Sequence, residues 1–128
     1  MINFFSQNKI IFYSINFFLI LFYVFPGSLL GLVIHNDIKI QPQLTPDFII
    51  SSNHFYAFVL VSIIGFLTFK KLNKKFLINY LILLSIILET LHLIIPMRSF
   101  QWSDLLGNFL GVIIVIFLNK FINKVWIN

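Results

Sequence analysis

The sequence predicts an all-α fold: a polytopic membrane protein, built as a four-transmembrane-helix bundle with both termini in the cytoplasm. Three observations lead there. Hydrophobic residues make up 59% of the 128-residue chain and charged residues 10%, which is more apolar material than a soluble domain of that length buries. The apolar residues fall into four runs of near-spanning length, separated by polar connections. Lysines gather beside those runs, at Lys9, Lys70, Lys71, Lys74, Lys75, Lys120 and Lys124, as the positive-inside bias requires of cytoplasmic flanks. The same placement explains the formal charge of +5 without a nucleic-acid partner.

The first span is expected over residues 10–34, interrupted by Pro26-Gly27. It is too long for the apolar core of a signal peptide, and no small-x-small cleavage pattern follows it. Proline inside the run kinks or ends the helix there, and Asn16 within it needs an internal partner. Residues 35–52 turn polar, with Asp37, Lys39, Pro42, Pro46 and Asp47, and form the main loop. The second span covers 53–69 and leads into the Lys70 to Lys75 cluster on the inner side. The third covers 76–95 and the fourth 104–119, returning to Lys120 and Lys124. This topology leaves Lys39 and Arg98 outside, with Trp102 and Trp126 as interfacial anchors. The whole chain is one transmembrane domain, and no internal repeat divides it. Cysteine is absent, so disulfides and thiolate metal sites are excluded.

The chemistry concentrates in residues 89–111, ETLHLIIPMRSFQWSDLLGNFLG. Glu89, His92 and Pro96 share a helix face by their spacing of three and seven, and Asp104, Asn108 and Gly111 share one on the next helix by a spacing of four and seven. Pro96 stops one helix. Ser103 is a favourable N-cap for the other, and Asp104 a favourable first-turn anion. Gly107 and Gly111 make a small-xxx-small seam on which a neighbouring helix can approach closely. A leucine at Gly111 is therefore expected to destabilise the fold, and a leucine at Val115 to be tolerated.

These residues resemble the signature of the VanZ-like family of small bacterial integral membrane proteins, roughly E-x-x-Q, then Pro-x-Arg, then D-x-x-x-N-x-x-G. Glu89, Pro96, Arg98, Asp104, Asn108 and Gly111 fall on it in order, and His92 stands where the family usually has Gln. A second patch, Asn53-His54-Phe55-Tyr56, resembles the family's His-aromatic motif, with Ser51 and Ser52 in place of the charged residues common before it. The resemblance implies a protein of the bacterial plasma (inner) membrane, associated with glycopeptide tolerance of the teicoplanin type.

Two readings of the polar cluster remain open. In one, Glu89, Arg98, Asp104 and Asn108 close into a hydrogen-bonded clasp that fixes the helix hairpin. In the other, Arg98 presents its planar fork to a lipid-borne or cell-wall-related anionic ligand, such as a phosphate-bearing head group, at the outer face. Asp104 and Glu89 would then orient Arg98 or handle a proton, with His92 or His54 as acid or base and Asn108 in the same ligand site. A third possibility makes the chain a non-catalytic helical module that packs with a partner membrane protein through the glycine seam. No cofactor is expected, and no metal, because the Glu-x-x-His pair of residues 89–92 is not repeated as a di-metal bundle requires. There is no nucleophile with an adjacent base, no Walker-type loop and no dinucleotide fingerprint, so enzymatic status is left open.

Overall fold

The computed structural model describes residues 2–69 and 74–126. In chain order its helices are α1 (Ile2–Gln7), α2 (Lys9–Val24), α3 (Leu29–His35), α4 (Ser52–Thr68), α5 (Lys74–Leu91) and α6 (Trp102–Trp126). Among the described residues the fold is all-α. Phe12, Leu19 and Tyr23 from α2 meet Phe58 and Val61 from α4, Leu81 and Leu88 from α5, and Val112 and Val115 from α6 in one core.

The expected four-span bundle is overturned, and with it the count of spans that placed both termini in the cytoplasm. Among the described residues only α6 is long and apolar enough to cross a membrane, over Trp102–Lys124, and a second span exists only if the bent pair α2 and α3 counts as one. The reasons are local. Pro26 and Gly27 do more than kink the first run: α2 ends at Val24, and the chain turns by 89° before α3. The second run makes a helix of 17 residues, about 26 Å long against a hydrocarbon core of about 30 Å. The third run starts at Lys74 and Lys75 and carries Glu89 within its 18 residues, too much charge for a lipid-exposed span. α6 supports membrane association, since only 33% of its apolar window is buried against the rest of the chain. Lys70 and Lys71 of the expected inner-side cluster lie outside the described residues, as does the side chain of Trp126.

The break after α2 is built from its own residues. Gly27 takes a φ of 82°, which a side chain would resist. Ser28 caps α3 by accepting the Gly31 N–H at 2.9 Å. Asn36 ends that helix in the left-handed region, and the chain folds back so that Ser28 N–H donates to the Ile38 carbonyl at 2.7 Å. Downstream, Asn53 ties the loop to the head of α4, accepting from Leu44 N–H and donating to the Pro42 carbonyl. Asp47 accepts the Ser52 N–H at 2.8 Å, capping α4 from outside.

α4 and α6 pack most closely. A Cβ on Gly107 would stand 2.7 Å from the Ser51 carbonyl oxygen, and one on Gly111 2.7 Å from that of Phe55. The seam is therefore filled within the chain by α4. Val115 faces the core and is buried, so the tolerance expected for its replacement by leucine does not follow. Ser103 lies inside the first turn of α6, which starts at Trp102, so it is not the N-cap. Nor does α5 reach Pro96: it ends at Leu91 and unwinds through tight turns, as a following proline requires of the residues before it. Asn16 donates to the Tyr80 hydroxyl, the internal partner its position demanded.

Candidate functional site

Four helix ends converge on one cluster. The last turn of α2 brings Tyr23, the first turn of α4 brings His54, and the end of α5 brings Glu89 with His92 just beyond. The start of α6 brings Asp104 and Asn108. Helix ends are where sequence can place polar groups without interrupting an apolar stripe, and α5 and α6 run antiparallel across a short connection.

The hydrogen bonds fix several proton positions. Tyr23 donates its hydroxyl proton to Asn108 Oδ1, so its oxygen accepts from His54 Nδ1, 3.0 Å away. Nε2 of His54 lies 3.4 Å from Asp104 Oδ2. Asn108 donates in turn to the Ser85 carbonyl at 3.3 Å. His92 Nε2 lies 3.1 Å from the Tyr23 carbonyl oxygen, which can only accept, while its ring stacks on that of Tyr23 at a centroid distance of 5.7 Å. Glu89 is fully buried. Its Oε1 accepts the Gln101 N–H at 3.0 Å, whereas Oε2 makes no hydrogen bond, with His92 Nδ1 at 3.2 Å and His54 Nδ1 at 3.8 Å.

Arg98 stands beside this cluster and is not part of it. Its Nη2 donates to the Phe22 carbonyl at 2.7 Å and its Nε to that of Phe25 at 3.3 Å. With His92 on the Tyr23 carbonyl, the α5–α6 connection caps the open end of α2, and the cation suits the negative end of that helix. No described carboxylate lies within 4 Å of the guanidinium, so the Glu89–Arg98–Asp104 clasp does not form. Burial pulls the Arg98 pKa below its ordinary value, while Tyr23, Glu89 and Asp104 act in the opposite sense; the group stays cationic.

Arg98, His54, Tyr23 and His92 help line a cleft of about 440 Å³. Leu19, Leu29, Leu30, Ile34, Leu44 and Leu60 contribute its apolar walls. Both ring nitrogens of His54 face oxygens, so it activates no serine or cysteine. The arrangement can bind a cation, hold a proton, or receive an anion at Arg98.

Of the residues singled out in the sequence, His54, Glu89, His92, Asp104 and Asn108 are brought together, and Gly107 and Gly111 of α6 pack against α4. Tyr23 was missed, although it touches His54, His92 and Asn108. The signal available was its position seven residues from Asn16, on the same face of α2; an aromatic residue in an apolar run otherwise looks like packing. Compared with protein-family models, curated proteins and solved structures, the chain has no match. The VanZ resemblance stands on its motif residues alone.

Proposed function

We propose that this chain is a VanZ-like protein of the bacterial plasma membrane that recognises a lipid-borne or cell-wall-related anionic ligand in the cleft beside Arg98. The observation that carries the reading is an arginine, without a carboxylate partner among the described residues, lining a cleft with apolar walls. Two of its five N–H donors are used on α2, which leaves a charge and donors for a phosphate-like head group. The apolar walls suit the chain attached to that head.

The outer face is the side we assign to it. Asp104 and Asn108 lie at the start of α6, opposite the end that carries Lys120 and Lys124, and lysines favour the cytoplasmic flank of a span. The alternative, a helical module that packs with a partner membrane protein, would use a surface other than the glycine seam, which α4 occupies.

The test is native mass spectrometry of the full chain in nanodiscs supplied with a prenyl phosphate or the matching prenyl alcohol. The phosphate should be retained and the alcohol lost, and both Arg98→Ala and Arg98→Lys should release the phosphate while staying folded. Equal retention of alcohol and phosphate would sink the reading. The link to teicoplanin-type tolerance is checked by expressing the wild type and Arg98→Lys in a susceptible bacterium, where only the wild type should raise tolerance.

A further inference from the structure

We propose that His54, Glu89 and Asp104 bind one divalent transition-metal cation of the zinc or manganese class. One ligating atom from each of the three lies within 4.8 Å of the other two. The His54–Asp104 pair already has the spacing of two ligands around one ion, and Glu89 Oε2, whose nearest His54 nitrogen is Nδ1 at 3.8 Å, closes on it by a side-chain rotation. Donors about 2.0–2.2 Å from zinc, at a tetrahedral angle, stand about 3.4 Å apart, and His54 Nε2 is 3.4 Å from Asp104 Oδ2.

The tautomer of His54 points the same way. Because the Tyr23 proton goes to Asn108 and Asn108 Oδ1 can only accept, His54 Nδ1 is a donor, shared between the tyrosine oxygen at 3.0 Å and Asn108 Oδ1 at 3.1 Å. A neutral ring then aims the Nε2 lone pair at a carboxylate, two acceptors face to face. A cation between them removes the conflict. Metal-bound histidines are held in this manner, the second ring nitrogen donating to an oxygen that fixes ring and tautomer.

Glu89 supplies an independent observation. It is 0% exposed, one oxygen is taken by Gln101 N–H, and Oε2 has no hydrogen bond. A buried carboxylate oxygen without a hydrogen bond is costly; its neighbours are two imidazoles, His92 Nδ1 at 3.2 Å and His54 Nδ1 at 3.8 Å, and a cation beside His54 would satisfy it. Among the described residues the ion-pair contacts of Glu89 and Asp104 are with histidines alone, and Arg98 stands more than 4 Å from both, so two carboxylates share the cluster. One imidazole with two carboxylates suits zinc and manganese, and the chain has no thiolate to draw softer ions. His54 also lines the cleft, which gives the ion a way in.

The alternative occupant is a proton, carried as a His54 imidazolium between the carboxylates, and it takes no metal. The test uses the full chain in detergent, stripped with a chelator and dialysed against Zn²⁺ or Mn²⁺ alone, with metal per chain measured by elemental analysis. One ion per chain is expected, together with a rise in unfolding temperature. His54→Gln and Asp104→Asn should each abolish stoichiometric binding, Tyr23→Phe should weaken it by about 10- to 100-fold, and His35→Gln should bind as the wild type does. Asp104 sits in a helix first turn, where asparagine is tolerated, so that variant reads binding in a folded chain. A folded wild type that takes up neither ion, or an Asp104→Asn variant that binds as tightly as the wild type, overturns the proposal. Metal uptake is measured without the anionic ligand, so either reading can fail alone.

Discussion

Arg98 Nη2 reaches the carbonyl oxygen of Phe22, 76 residues earlier in the chain, at 2.7 Å. The contact ties the α5–α6 connection to the broken end of α2. Arg98→Ala should therefore lower stability by about 1.5–3 kcal/mol, the range for hydrogen bonds from a charged donor, and Arg98→Lys should recover part of it. Combining Arg98→Met with Glu89→Gln should give no rescue, with a coupling below about 0.5 kcal/mol, because the two side chains do not pair. Chemical denaturation in detergent reads all of these.

Glu89 serves a backbone group through Oε1. Glu89→Ala strands the Gln101 N–H and opens a cavity, at a cost of at least about 1–3 kcal/mol. Glu89→Gln retains an acceptor at that atom and should cost less. If the two variants unfold at the same denaturant concentration, the Gln101 bond contributes nothing.

The glycine seam predicts an asymmetry along α6. Gly111→Leu drives a side chain into the Phe55 carbonyl, and overpacking of that kind costs about 1–3 kcal/mol or more. Phe117→Leu lies on an exposed face of the same helix and should change the melting temperature little. Matching melts would remove the close α4–α6 approach from the account.

Gly31 is covered by the carbonyls of Ile40 and Asp37, closer than any Cβ tolerates. Gly31→Ala should therefore lift residues 37–44 from α3, loosening the cleft wall that Gln41, Pro42 and Leu44 form. Limited proteolysis should cut this loop faster in the variant, while the α4–α6 pair stays protected from hydrogen exchange.

α6 should insert into a membrane by itself when residues 102–126 are placed in a reporter protein. Ile114, exposed near its middle, is the position to challenge: Ile114→Asp should oppose insertion by about 2.5–3.5 kcal/mol. Insertion unaffected by that change would argue that α6 does not span.

The helices and their polar ends were legible in the sequence because both are local properties. Apolar periodicity, Pro26-Gly27 and the clustering of Glu89, His92, Asp104 and Asn108 need no knowledge of neighbours. The four-span expectation failed where apolar run length was taken for helix length. The run over 10–34 holds a turn of 89°, and the helix expected over 76–95 stops at Leu91.

By itself the sequence determined that the chain is helical, that its first apolar run is interrupted at Pro26-Gly27, and that its buried polarity gathers near helix ends. Only the tertiary structure decided that Tyr23 meets His54, that Arg98 caps α2 in place of pairing with Glu89, and that His54 stands between two carboxylates. Those contacts join residues 31 to 76 positions apart. Their partners are set by how α4 seats on Gly107 and Gly111 and by the angle at which α2 ends, and neither distance nor angle is encoded in the spacing of any one helix.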